Sequence, residues 1–406
     1  MDLSATLAQL PAANAADPAR YALGGVAPAA ARRPAGADEA AAIVRACSEH
    51  GLGLVPWGGG VTLAHERAPG RYDLALDLSA LDRVTIFEPD DFTVTAECGV
   101  TLDALRAALA AHGQELPLEG AAPARATLGG VLAANASGPR RLRFGSPRDR
   151  VLGARFVTGD GVLARTGGRV VKNVAGHAVH RLLVGSRGGL GVLLEASLKL
   201  LPAPPARACL VHGLDAMALA DAARWRGFAR REPTALTVLA GTGAAAAPFA
   251  TGASFTVVTG WEGDPAWVDA CVEWTIARLG RPASLHRDRD AEPIVQALAD
   301  AAEAPATRLT LASAHNSPTA IAALPAATAL VFHAPAGRLE ITPRPGGEAA
   351  LLEALMSRGF EPIDVRGLAL ELPAPSTRVR ALRAQLAAAL DPRGVMAFGP
   401  HWKNRR

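Results

Sequence analysis

ATLGGVLAANASGPRRLRFGSPRD, residues 126–149, is the stretch that decides the fold. Its first half is built from small residues, so backbone can come close to a neighbouring element or to a ligand. A small-residue helix packed on a sheet accounts for LGGVLAA but leaves the following NASGPRR unexplained. Thr127, Asn135 and Ser137 add compact polar groups to the same run.

Glycine-rich stretches lie on both sides of it. Upstream, Pro56-Trp57-Gly58-Gly59-Gly60-Val61-Thr62 follows the apolar run GLGLV, which reads as a short strand. Consecutive glycines after a strand let backbone N–H groups converge without side-chain obstruction, a concave array suited to a pyrophosphate. The run is neither GxGxxG nor a P-loop, since no lysine follows. Taken alone, a plain surface turn explains it equally well. Downstream, VVKNVAGH (170–177) and LVGSRGGLGV (183–192) place five glycines between 176 and 191. Lys172 offers a cation to a phosphate or an acidic partner, though a single lysine is usually a solvated surface group.

Working outward, ADEAAAIVRACSEHG predicts a helix N-capped by Asp38 and stopped at Gly51. DLALDLSAL, RVTIFEPD and FTVTAECG alternate apolar and polar residues and read as strands. TLDALRAALAAHG is an amphipathic helix with Leu102, Leu105 and Leu109 on one face. VLGARFVTGDGVLARTGG predicts a hairpin turning at Gly159-Asp160-Gly161, and VLLEASLKLLP a closing strand. PAPPAR (202–207) is a linker. Beyond it, strands at ACLVHGL, TALTVLAG and SFTVVTGW alternate with helices over 216–230 and 265–279; VFHAPAGRLEITPRP reads as a hairpin and 376–390 as the last helix. A short helix is expected near Leu3–Leu10. The expected fold is α+β: a first domain over 1–205, a smaller α+β substrate or cap domain over 206–375, and a tail over 376–406 returning to the first.

Composition excludes several classes. A 50% hydrophobic, 20% charged chain of 406 residues is globular and too long for one ordinary core. The net charge of +4 is spread over scattered arginines with no run of five basic residues, which argues against nucleic acid. Cys47, Cys98, Cys209 and Cys271 form no CxxC pair, so no iron–sulfur cluster or structural zinc is expected in this chain. They read as small buried hydrophobes in a reducing cytoplasm. His177 and His180 are spaced as a metal pair without an evident third ligand, so no metal is expected. MDLSATLAQLPAANAADPAR lacks the pattern of a signal peptide. The longest uncharged stretch, 234–261, is interrupted by four glycines and a proline and does not read as a membrane span.

The ordered set PWGGG, TLGGVLAANASGPRRLRFGSPRDRVLG, KNVAG and GSRGGLGVLLEASLKLLP resembles the FAD-binding domain of the vanillyl-alcohol oxidase and p-cresol methylhydroxylase superfamily over roughly residues 25–202. Within it, the resemblance is to the FAD-binding E-type subunits of bacterial glycolate oxidases. It implies a two-part FAD-binding domain of the p-cresol methylhydroxylase type. It implies noncovalent FAD, because His65, five residues after the glycine loop, matches no attachment motif. It assigns cofactor contacts to Pro56, Gly58, Gly59, Gly60, Val61 and Thr62, to Pro117, Thr127, Gly129, Gly130, Asn135 and Gly138, and to Gly189, Gly191 and Val192. No catalytic residue is implied; Arg148, Arg169 and Arg338 are only candidates for holding a substrate carboxylate.

The resemblance further implies oxidation of glycolate or a similar 2-hydroxy acid in a multisubunit complex. The implied partners are a larger FAD-containing sister subunit and an iron–sulfur subunit. Any contact with the inner membrane would run through those partners, the chain itself being cytoplasmic. Relatives often read Gly-Ser-Glu-Gly-Thr-Leu-Gly where this chain has Gly185-Ser186-Arg187-Gly188-Gly189-Leu190-Gly191. They often carry an Asn-Pro-Gly approach to the flavin, where this chain keeps Asp391-Pro392-Arg393-Gly394 and has Ala397 further on. These departures keep open an electron-relay subunit without substrate chemistry of its own, and a stand-alone oxidase.

Overall fold

The computed structural model describes residues 7, 10–11, 14–66, 68–170, 176–245, 248–303, 308–313, 318–322, 324, 327, 329–334, 337–366 and 376–398. The helix expected near Leu3–Leu10 and the lysine of VVKNVAGH fall outside or largely outside these residues. The chain forms two compact units. The first comprises 1–136, 146–203 and 374–406; the second comprises 137–145 and 204–373. Nine residues from the middle of the glycine-rich stretch, Ser137–Gly145, thus belong to the second unit.

The first unit holds three sheets. In the first, β2 (Ala30–Arg33), β4 (Leu74–Asp77) and β3 (Leu54–Trp57) run parallel, with β1 (Asn14–Ala16) antiparallel at the edge. Leu54, Leu74 and Leu76 are fully buried, and with Ile43 and Val44 of the helix α1 (Ala37–His50) they form one core. α1 starts one residue before the expected cap. Gly36 takes the extended N-cap position, and Asp38 sits in the first turn beside the partial positive charge of the helix start. Gly51 stops it at φ +66°.

The second sheet is antiparallel, in the order β5 (Val84–Glu88), β6 (Thr93–Glu97), β10 (Val192–Lys199), β8 (Val151–Val157), β9 (Leu163–Gly167). It packs on α2 (Leu102–Ala110), whose Leu102, Leu105 and Leu109 are buried, and on α3 (Leu128–Ala134). β7 (Gln114–Glu115) pairs with β11 (Leu201–Pro202) as a third, two-stranded sheet. The C-terminal helix Thr377–Leu390 is capped by Ser376, and the segment after it rejoins β3. Leu54 donates to Val395 O at 2.8 Å and accepts from Ala397 N at 2.9 Å. The Asp391 carboxylate holds the turn between them through Val395 N and Met396 N at 2.7 and 3.0 Å.

The second unit is one antiparallel sheet of eight strands. Its order is β15 (Ser284–Arg287), β12 (Ala206–Leu214), β14 (Phe255–Gly263), β13 (Ala235–Gly241), β17 (Ala329–His333), β18 (Arg338–Thr342), β16 (Arg308–Ser313), β19 (Phe360–Arg366). Its faces carry separate cores. Trp261, Phe228, Phe332 and Leu311 pack with α4 (Pro265–Leu279) and α6 (Glu348–Met356) on one side. Val211, Val258 and Val331 pack with α5 (Glu292–Glu303) on the other. The continuous helix expected over 216–230 is instead three short pieces, Ala216–Ala220, Ala222–Trp225 and Phe228–Arg231. Asp221 leaves the first to cap the second, and Gly227 turns left-handed at φ +97°.

Candidate functional site

The end of β3 delivers Trp57 and the glycine loop, and a polar network fixes that end. Trp57 Nε1 donates to Tyr72 Oη at 2.8 Å, and Tyr72 Oη donates to Tyr21 O at 2.7 Å. Tyr21 Oη and Arg33 Nε donate to Asp77 Oδ2 at 2.7 and 2.8 Å. Burial alone would raise the Asp77 carboxyl, but hydrogen bonds from Tyr21, Ser79 and Arg33 outweigh it and hold the group below the usual carboxylate range. Burial pushes the Tyr72 phenol well above its ordinary value, so it stays a protonated donor.

Gly58 and Gly59 then pass directly over the start of α3. A Cβ on Gly59 would stand 1.6 Å from Arg125 O, and one on Gly58 2.1 Å from Thr127 Oγ1. Only glycine permits this approach. Gly60 turns at φ +72° beneath the Trp57 ring, and Val61 and Thr62 continue into the turn Leu63–His65. Among the described residues, the backbone N–H groups of Gly58, Gly59, Gly60 and Val61 have no protein acceptor. Half-buried amides that no described residue claims suit an anionic acceptor.

α3 begins at Thr127, whose Oγ1 accepts from Gly130 N at 3.2 Å, and ends at Asn135 in the left-handed conformation. Gly130 is exposed, whereas Gly129 packs on Cys98, whose Cβ would lie 2.8 Å from an added Cβ. Asn135 Oδ1 is buried without a hydrogen-bond partner among the described residues. The third stretch docks on the other two: Gly185 N donates to Leu132 O at 3.0 Å, and a Cβ on Gly188 would meet Pro56 Cγ at 3.0 Å. Gly189 packs on Phe398 O and Gly191 on Val157 O, and Val192 opens β10 in the core.

The structure therefore brings Pro56, Gly58–Val61, Thr127, Gly130 and Asn135 together. Gly129, Gly189, Gly191 and Val192 are close-packing positions behind them. Pro117 is buried between β7 and Ala121, and Gly138 lies in the second unit. The residues present fit a pyrophosphate-bearing cofactor: unclaimed amides, a side-chain-free cradle and an orphaned amide oxygen.

Residues 28–167 match a family model described as FAD binding domain. This stretch is an FAD-binding domain. Over 185 residues, 45% of this chain and 39% of the relative, the sequence is 36% identical to glycolate oxidase subunit GlcD of Bacillus subtilis. It is 42% identical over 153 residues to glycolate oxidase subunit GlcE of Escherichia coli, covering 37% of this chain and 44% of that one. D-2-hydroxyglutarate dehydrogenase of Xanthomonas citri is 34% identical over 44% of this chain and 38% of its own. These matches span less than half the length of each of those relatives. A solved structure of alkyldihydroxyacetonephosphate synthase superposes with a TM-score of 0.68 at 15% identity, over 91% of this chain and 77% of that one. The chain has the FAD-binding fold of the p-cresol methylhydroxylase type.

Outside the FAD-binding domain, sequence reasoning missed a buried polar set in the second unit. Thr237 Oγ1 lies 2.8 Å from His333 Nδ1, and His333 Nε2 lies 3.9 Å from Glu340 Oε2. Neither His333 Nε2 nor Glu340 Oε2 makes a hydrogen bond among the described residues. Arg338, a candidate for holding a substrate carboxylate, instead pairs with Glu340 Oε1. Arg148 and Arg169 are exposed in the first unit. Burial pushes His333 down to about 4, against the pull of Glu340 and with the help of Arg338 and Arg141, so its ring is neutral at pH 7. From the segment 137–145, Arg140 pairs with Glu262 Oε2 at 2.8 Å. The signal was a charged residue at an inward position of an otherwise apolar hairpin, VFHAPAGRLEIT.

His180 is buried beside Thr166 while His177 is exposed, and among the described residues no group of three metal-type side chains exists. All four cysteines are free and buried, and burial pushes the Cys47 and Cys209 thiols up to about 12. Among the described residues no helix is long and apolar enough to cross a membrane.

Proposed function

We propose that this chain is an FAD-dependent oxidoreductase, the E-type subunit of a complex that oxidises glycolate to glyoxylate. Its partners are a larger FAD-containing sister subunit and an iron–sulfur subunit. The observation that carries the reading is the FAD-binding domain, whose relatives are named glycolate oxidase subunits and D-2-hydroxy-acid dehydrogenases. When bound, FAD accepts the electron pair that leaves the alcohol carbon as hydride. Pro56, Gly58–Thr62, Thr127, Gly130 and Asn135 hold and orient it; Gly129, Gly189, Gly191 and Val192 set the backbone behind them. Binding is noncovalent. The absence of CxxC pairs from the sequence fits electrons leaving through a partner.

The test is anaerobic titration of the yellow chain with glycolate, D-lactate and D-2-hydroxyglutarate, alone and with its partners. Bleaching by glycolate in the complex is the expected result. A flavin that no 2-hydroxy acid reduces, in the chain or in the complex, overturns the reading. An electron-relay subunit is the second reading, and the neutralisation of Arg338 by Glu340 and of Arg140 by Glu262 favours it. It predicts a flavin in this chain that is reduced only after the sister subunit is added.

A further inference from the structure

One residue joins all three glycine-rich stretches. Arg187 lies in the third, at φ +52°, a left-handed backbone that favours glycine, and glycines do occupy that region at 185 and 188. Its N–H donates to Ala133 O at 2.8 Å, tying it to the end of α3. Its guanidinium forms an ion pair with Glu66, the residue that closes the turn following the first glycine loop. The side chains of Arg187 and Glu66 are only 14% and 15% exposed, so water screens the pair weakly. The adjacent Gly188 rests on Pro56, at the start of the same loop. Loops of glycine have no side chains to interdigitate; Gly58 lies against the Thr127 side chain, and Gly59 O accepts one hydrogen bond, at 3.2 Å, from the exposed Arg125. A charge pair across them supplies what packing does not.

We propose that the Arg187–Glu66 pair is the clasp of the cofactor site, a positioning pair that holds the three stretches closed and sets how long FAD stays bound. This rests on the FAD-binding reading. The two residues are 121 positions apart in sequence, so the pair is a tertiary device. Removing Arg187 leaves the largely buried Glu66 carboxylate without this partner, which favours an opened loop.

The test measures FAD dissociation from the full chain by recovery of free-flavin fluorescence, together with the melting temperature of the apoprotein. Arg187→Gly keeps the left-handed backbone at no steric cost and removes the guanidinium that pairs with Glu66, while Glu66→Gln removes the pair's charge and leaves the Arg187 side chain in place. We expect dissociation about tenfold faster or more, equivalent to about 1.4 kcal/mol, with the apoprotein melting close to wild type. Glu66→Gln behaves the same way. The charge-swapped double variant Glu66→Arg/Arg187→Glu recovers most of the loss, which a merely structural role would not produce. The proposal is overturned if Arg187→Gly or Glu66→Gln releases FAD at the wild-type rate, if the swap restores nothing, or if apoprotein stability falls in step with retention. A wild-type chain that takes up no FAD is a separate result, and it defeats the FAD-binding reading itself.

Discussion

The glycine site of the first unit and the polar face of the second solve opposite problems. Among the described residues, the first offers a ligand unclaimed backbone amides rather than side-chain charges: Gly58, Gly59, Gly60 and Val61 offer N–H groups, and Asn135 a single orphaned oxygen. The second buries charge against charge, with Glu340 facing Arg338 and His333, and Glu262 facing Arg140. A backbone site tolerates no added atom, whereas a charge cluster tolerates no missing one. The two regions should therefore fail in different ways.

The largest effect is expected in the second unit. Burial alone would raise the Glu340 carboxyl, but Arg338, His333 and Arg308 outweigh it and keep it ionised. Glu340→Ala removes the carboxylate that offsets the Arg338 and Arg308 charges and should cost about 3–5 kcal/mol of stability. Urea unfolding checks this, and FAD affinity should be unchanged. Gly59→Ala should do the reverse. Its methyl collides with Arg125 O, the loop shifts, and FAD affinity falls about 100-fold, the upper end of what overpacking costs. A Gly59→Ala chain that binds FAD normally would erase the contrast.

A pH series sharpens it. His333 and His212 are both pushed down to about 4, chiefly by burial, from an ordinary value near 6.5. The unfolded chain protonates them first, so their stabilisation is complete above about pH 6.5 and is lost as pH falls towards about 4. Asp77 in the first unit has a lowered carboxyl, so its contribution is lost only below the ordinary carboxylate value of 3.8. His180 in the first unit is also lowered by burial and gives a weaker version of the histidine effect there. Thermal melts from pH 7 to pH 4 should show the second unit weakening first, with His212→Gln flattening the decline. The smallest effect is expected from Tyr72→Phe. It leaves Trp57 Nε1 without its acceptor and should cost about 1–2 kcal/mol, with a lesser loss of FAD affinity than Gly59→Ala.

The contrast also explains what was legible in the sequence. Glycine runs state a backbone requirement directly, and the family resemblance carried by the ordered stretches at 56–60, 127–153, 172–176 and 185–202 implied FAD without any tertiary knowledge. Alternation likewise announced β4 and β6, whose side chains face a core. Spacing could not show which glycines are pressed by neighbouring atoms. Gly129 and Gly191 are small because Cys98 and Val157 O press on them. Polar contacts join segments far apart in sequence: His333 meets Thr237, 96 positions away, and Arg187 meets Glu66, 121 positions away. The helix expected over 216–230 failed for a local reason, since a capping aspartate and a left-handed glycine outweighed the apolar spacing.

The most direct test of the account is the absorption spectrum of the purified full chain, followed by titration of its apoprotein with FAD. The account predicts a yellow protein that binds one FAD, released intact on denaturation. A colourless chain that cannot be reconstituted with FAD would contradict it.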